Sequence, residues 1–191
     1  MTKLGNSVLF ILVIIAQLAV PANMIYEQED TLIDGTAYKF KTRPIDPSDP
    51  FRGKYIVLNY EMDSFDIELD DWERNTDLYV YLKNDENGFA QVKTVSQAPL
   101  ENTDDYVKAK SYGYYNGTIN FDLPFNRFYM NENKAYDAEV SVRKAQRDTL
   151  LTCYALVHVK GSDAVLKDVI IDDMPIQQYV EKYQEEEKQT Y

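Results

Sequence analysis

The sequence predicts a mainly β protein, an antiparallel barrel or sandwich with one or two peripheral helices, preceded by a single N-terminal transmembrane helix. Three observations predict it. Short alternating segments are separated by tight-turn residues rather than by helical crossovers, which favours antiparallel over parallel strands. The chain carries 16 tyrosines, a residue whose ring packs on a pleat while its hydroxyl stays wet. An uncharged apolar run opens the chain, about as long as a helix needs to cross the hydrocarbon core.

At 191 residues the chain holds one domain of ordinary size plus an accessory segment. Its organisation reads as an anchor over 1–26, a β domain over 27–175, and a C-terminal helix with an acidic tail over 176–191. A net charge of −12 argues against nucleic acid and against anionic lipid headgroups as direct partners of the β domain, because both are repelled. Solubility accounts for the same charge without any partner.

The run LGNSVLFILVIIAQLAVPANMIY follows Lys3 and precedes Glu27, Glu29 and Asp30. With the only nearby positive charges, Lys3 and the amino terminus, before it, the N-terminus is expected in the cytoplasm and the remainder outside. Two processings fit: an uncleaved single-span anchor, or a signal peptide removed after Ala22. The length of the run and Tyr26, placed as an interfacial aromatic, favour the anchor.

EQEDTLIDG then reads as an acidic connector ending at Gly35, and TAYKFKT as a short strand with Tyr38 and Phe40 alternating against Lys39 and Lys41. PIDPSDPFRGKYIVLNYEM follows. Its prolines fix backbone angles and bias Asp46 and Asp49 to extended conformations, delivering a stiffened chain into a strand. Arg43, Asp46, Asp49 and Arg52 alternate in sign at three-residue spacing, which an extended polyproline-like segment returns to one side. They either pair with one another or present a charged ridge to a partner. In KYIVLNYEM, Tyr55, Val57 and Asn59 fall on one face and Ile56, Leu58, Tyr60 and Met62 on the other, so Tyr55 and Tyr60 point oppositely; the apolar content suggests burial on both faces. Gly53 suits a bulge or a close backbone approach.

DSFDIELDDWER fits either an acidic edge strand or an irregular crossing. LYVYLKN and FAQVKTV form a hairpin about Asp85-Glu86-Asn87-Gly88. TDDYVKAKSYGYYNGTINFDL reads as strands broken at Gly113 and Asn116-Gly117. Residues 131–147 carry good helix formers with alanines at three- and four-residue spacing and an asparagine cap, predicting a helix. LLTCYALVHVKGSDAVLKDVIIDD is a second hairpin turning at Gly161-Ser162-Asp163. After Pro175, Ile176, Tyr179, Val180 and Tyr183 form the apolar stripe of a surface helix.

Catalytic signatures are missing. The single histidine, His158, sits in an alternating strand and reads as a satisfied strand residue. Cys153, the lone cysteine, reads as a buried structural thiol. No serine occupies a nucleophile elbow, no Cys/His spacing suits zinc, and no glycine-rich loop cradles phosphate. The carboxylates Asp63, Asp66, Glu68, Asp70 and Asp71 lack the glycine of a calcium loop and read as a solvated strand face, and Asp172-Asp173 adds no such loop. The sequence therefore predicts no metal site, no cofactor and no catalytic residue.

The stretch from Arg43 to Tyr60 resembles the signature of the bacterial GDYXXLXY family: Gly53, Tyr55, Leu58 and Tyr60 match, while Lys54 stands at the acidic position. Arg127, Phe128, Tyr129 and Glu132 are similar to the family's arginine-aromatic-aromatic stretch with its following glutamate. This resemblance implies a membrane-anchored protein, in the inner membrane with a periplasmic domain if the cell is Gram-negative. It also implies a multi-span membrane protein as partner; it carries over no catalytic residue. A non-enzymatic accessory or assembly partner of a membrane complex is the function expected. The alternative is a ligand-binding or hydrolytic β-barrel with a site beside Arg43, Asp49, Arg52, Tyr55, Arg127 and Glu132. Such a barrel is distantly similar to signal-peptidase-like folds but lacks their Ser/Lys dyad.

Overall fold

A computed structural model describes residues 3–43, 55–68, 72, 75–101, 104–130, 140 and 152–189. The helix expected over 131–147 lies outside the described residues except for Val140, as do residues 44–54.

Helix α1 spans Lys3–Asp34 and continues through Pro21. It is long and apolar enough to cross a membrane, and none of its most apolar stretch is buried against the rest of the protein. The acidic segment expected as a connector is instead the last two turns of this helix. Tertiary contacts hold it helical. Thr31 is fully buried with its hydroxyl donating to the Glu27 carbonyl at 2.9 Å. Lys160 Nζ lies 2.7 Å from Asp30 and 3.3 Å from Asp34. The helix ends where Gly35 N–H donates to the Thr31 carbonyl at 3.0 Å.

Twelve strands follow among the described residues. They are β1 Thr36–Arg43, β2 Tyr55–Val57, β3 Asn59–Tyr60, β4 Ser64–Asp66, β5 Asp77–Asn84, β6 Ala90–Ser96, β7 Tyr106–Tyr115, β8 Thr118–Asp122, β9 Arg127–Tyr129, β10 Cys153–Lys160, β11 Asp163–Ile171 and β12 Met174–Pro175, and α2 Ile176–Gln189 comes after β12. One sheet runs β12-β11-β10-β1-β3, a second β4-β8-β7-β5-β6, and β2-β9 form a separate ribbon. Among the described residues every strand pair is antiparallel, and a parallel bridge between Lys39 and Phe89 links the two large sheets, giving a nearly closed, barrel-like arrangement. This is the mainly β, antiparallel architecture that the turn-punctuated sequence predicts.

A single core lies between the sheets. Phe40, Ala155 and Val157 from the first meet Leu78, Val80, Ile119 and Phe121 from the second. Alternation decides which side chains enter: in β1 Tyr38, Phe40 and Thr42 point inward while Lys41 stays exposed. Each large buried apolar side chain contributes roughly 1.5–3 kcal/mol. Cys153 is buried, as its apolar run predicts. Ile176, Tyr179 and Val180 of α2 belong to the same core, so the C-terminal stripe covers the domain rather than lying loosely on it.

Turn chemistry matches the hairpins. Asp85 Oδ1 accepts from Asn87 N–H and Phe89 N–H at 2.8 Å each, and Gly88 takes φ 79°. Asn116-Gly117, at φ 51° and 81°, makes the two-residue turn between β7 and β8 that mirror-image turns require. Gly113 does not break its strand as expected; β7 runs through it with a bulge between Ser111 and Gly113, which absorbs the extra residue without ending the pairing. The acidic stretch after Met62 resolves into β4, an edge strand on β8. Asp172-Asp173 form a tight turn at φ 49° and 60° between β11 and β12, a conformation aspartate tolerates better than most residues.

Candidate functional site

The motif strand splits at Leu58 because its two halves pair with different partners. Tyr55–Val57 pairs with Arg127–Tyr129 of β9, whereas Asn59 and Tyr60 pair with Arg43 and Thr42 of β1. Between them, Leu58 N–H donates to the Asn126 carbonyl at 2.9 Å. The inward face is Ile56, Leu58 and Tyr60, all buried; the outward face is Tyr55, Val57 and Asn59. Burial on both faces, expected from the apolar content, is therefore corrected: nothing among the described residues covers the outward side of Val57 and Asn59.

Tyr60 is a core residue. Its hydroxyl donates to the Phe125 carbonyl at 2.7 Å, and its ring meets Phe40 and Phe125 edge-on at 5.8 and 5.4 Å. Burial pushes its phenol well above the ordinary range, so it is neutral and a donor at any physiological pH. Leu58 is likewise 1% exposed. Two of the motif's matching positions thus build the fold.

Arg43 is fixed by a two-pronged contact. Nη1 donates to Asp63 Oδ2 at 2.6 Å, and Nη2 reaches Asp63 Oδ1 at 3.3 Å and the Glu61 carbonyl at 3.0 Å. The pair rims a cavity of about 230 Å³ whose other polar lining includes Asn59, Tyr112, Asp122 and Asn126. Burial raises the Tyr112 phenol, Asp63 and Asp122 raise it further, and Arg43 opposes them. The neighbouring carboxylate Asp66 accepts from Thr118 Oγ1 at 2.6 Å.

Tyr55 and Arg127 form a second cluster on the outer face of the β2-β9 ribbon. The Tyr55 and Tyr129 rings lie 5.4 Å apart, and the Arg127 guanidinium stands 5.2 Å from the Tyr55 centroid. Tyr129 is 64% exposed and Val57 36%. An arginine held over an aromatic face beside a second exposed ring is the composition favoured at protein interfaces. Inward, Ile56 and Phe128 fasten this ribbon to the core.

Of the residues expected to form a site, Arg43, Leu58 and Tyr60 surround the cavity, and Tyr55 and Arg127 share the ribbon face. Asp46, Asp49, Arg52, Gly53 and Glu132 lie outside the described residues. Sequence reasoning missed Tyr112 and Asp122 as cavity walls, because strand pairing far along the chain, β8 with β7 and β8 with β4, brings them to Asp63. Tyr129 was legible as an aromatic at period two from Arg127, but its pairing with Tyr55 is a matter of register.

His158 differs from the satisfied strand residue expected. Its ring bonds the Leu32 backbone near the end of α1, but Nδ1 is buried without a hydrogen-bond partner among the described residues. Burial, aided by Lys167, lowers its pKa. No group of three or more His, Cys, Asp or Glu side chains converges as a metal site among the described residues.

The family model for GDYXXLXY protein matches residues 17–169, from within α1 to β11. The chain belongs to the GDYXXLXY family. The motif that names the GDYXXLXY family falls on Gly53, Tyr55, Leu58 and Tyr60, so its described tyrosines divide between the ribbon's outer face and the core. No curated protein and no solved structure matches the chain.

Proposed function

We propose that this GDYXXLXY protein is a single-span, membrane-anchored protein whose β domain lies outside the cytoplasm and serves as a non-enzymatic accessory or assembly partner of a membrane complex. The observation that carries this reading is the division of α1: its apolar part is wholly uncovered, whereas its last turns are built into the β domain. A helix that packed on its own domain would hide its apolar face; this one leaves it for another apolar environment. Lys3 before the span supports this orientation, since positive charge is favoured on the cytoplasmic side. The Tyr55–Arg127–Tyr129 face is the surface offered to the partner. It combines two exposed or half-buried rings with a cation on an otherwise acidic protein.

The test is affinity capture from detergent-solubilised native membranes after carbonate washing, comparing wild type with Arg127→Ala/Tyr129→Ala. The reading expects retention of both proteins in the washed membrane, a specific co-purifying membrane protein with wild type, and its loss with the double variant at unchanged thermal stability. A partner-free monomer, or a partner retained equally by both, contradicts it.

A further inference from the structure

Resting on the anchoring reading above, we propose that the face of α1 carrying Gln17 seats a transmembrane helix of another membrane protein, one that offers a hydrogen-bonding side chain at mid-depth and ends against the β10-β11 hairpin.

Gln17 interrupts an otherwise apolar stretch, and its side chain makes no hydrogen bond among the described residues; it is exposed, as are its apolar neighbours Val13 and Val20. In water an exposed amide needs no explanation. Within hydrocarbon its oxygen and both N–H groups lose every partner. Gln17 precedes Glu27 by ten residues, which at 1.5 Å per residue is about 15 Å, near the middle of a hydrocarbon core about 30 Å thick. Its short side chain cannot reach headgroups from there. A polar side chain on an adjacent helix is the remaining partner, and interhelical amide bonds are a recurrent contact between transmembrane helices.

The structure adds what kind of helix fits. Phe10, Gln17, Met24 and Thr31 follow one another at seven-residue steps, two turns each, so they lie along one line of α1 with only a slow drift. At the far end of this line Thr31 is buried under the β domain. Met24 lines a cleft of about 170 Å³ with Glu27, Gln28, Asp163, Ala164 and Val165, at the tip of the β10-β11 hairpin. The Gln17 face is therefore continuous with the face the domain already occupies. A second copy related by a two-fold axis would bring its own hairpin into the space of the first, since both domains hang from the facing sides of the helices. A helix of a different protein that stops at the membrane surface meets no such obstruction, and its end arrives at the cleft beside Met24.

Site-specific photocrosslinking in native membranes tests this with the full chain. A photoreactive phenylalanine analogue replaces Phe10 on the Gln17 line or Ile15 on the opposite side of the helix. The proposal expects an adduct from position 10 and none from position 15, with the crosslinked peptide sequenced as an apolar transmembrane segment of another protein. Gln17→Leu should lower the position-10 yield about threefold or more, as loss of an interhelical hydrogen bond implies, and Gln17→Asn should retain most of it. Equal yields from both positions, a product of twice the chain's own mass, or a yield indifferent to Gln17→Leu overturns the proposal while leaving the anchoring intact. Release of the wild-type protein by carbonate overturns the anchoring and the proposal together.

Discussion

Replacing Gly35 with alanine tests whether α1 and β1 are joined by a junction that tolerates no side chain. A Cβ on Gly35 falls 2.3 Å from the Thr31 carbonyl oxygen and 3.0 Å from the Val159 carbonyl oxygen. Both are backbone atoms, one in the helix's last turn and one in β10, where Val159 pairs with Thr36. Neither can rotate away as a side-chain tip would, so the helix end or the strand must shift. Overpacking of this kind costs about 1–3 kcal/mol, and for a chain of this size that lowers the melting temperature by roughly 2–12 °C. The assay is thermal unfolding of the detergent-solubilised protein, with amide exchange read over residues 27–35 to locate the damage. Gly113→Ala is the control, since nothing stands within 4 Å of the added methyl and no positive φ is required there. Equal melting temperatures for Gly35→Ala and wild type, with unchanged exchange in the last turns of α1, would refute the reasoning.

Other substitutions probe the core and the single histidine. Tyr60→Phe leaves the buried Phe125 carbonyl without its 2.7 Å donor and should destabilise by about 1–3 kcal/mol, seen as a lower urea midpoint at constant slope; an unchanged midpoint removes Tyr60 from the list of structural residues. Ser111→Ala takes away the acceptor that lies 2.6 Å from Trp72 Nε1 and should cost a similar amount, about 1–3 kcal/mol, with a change in tryptophan emission. His158 is held below its ordinary pKa of 6.5 by burial and Lys167. The unfolded chain therefore binds its proton first, so its contribution is complete above 6.5 and is lost as pH falls toward the folded value. His158→Asn should flatten that part of the stability profile, and an identical profile in both proteins contradicts the assignment.

How much of this could be read in advance varied by element. Hairpins whose turns carry Asn-Gly or Asp-x-x-Gly were plain, because a left-handed backbone leaves a compositional trace at the residues that adopt it. The two faces of the Tyr55–Tyr60 strand were also plain, since pleating alone assigns them. The helical character of Glu27–Asp34 was not. An acidic stretch after a membrane span looks like a tether, and only Lys160 and the hairpin covering Thr31, far along the chain, hold it in register with the helix. The cavity beside Arg43 was hidden for the same reason. Its arginine pairs with Asp63, twenty residues away, whereas the aspartates spaced three apart within its own segment lie outside the described residues. Local alternation of sign was visible; the contact with Asp63 depends on how the chain returns after β3 and could not be read from spacing.

The unbroken run of α1 into the domain gives the β domain a compass heading. Because its last turns are gripped by Thr31, by the Lys160 contacts to Asp30 and Asp34, and by the His158 contact to Leu32, the number of residues before Thr31 sets which way the β2-β9 ribbon looks. Under the proposed anchoring, one residue added between Tyr26 and Glu27 turns the whole domain by about 100° about the membrane normal while lifting it only about 1.5 Å. The length of this helix is thus an angular coordinate, and a change too small to alter the reach of the domain is enough to point its exposed tyrosines away from whatever stands beside it.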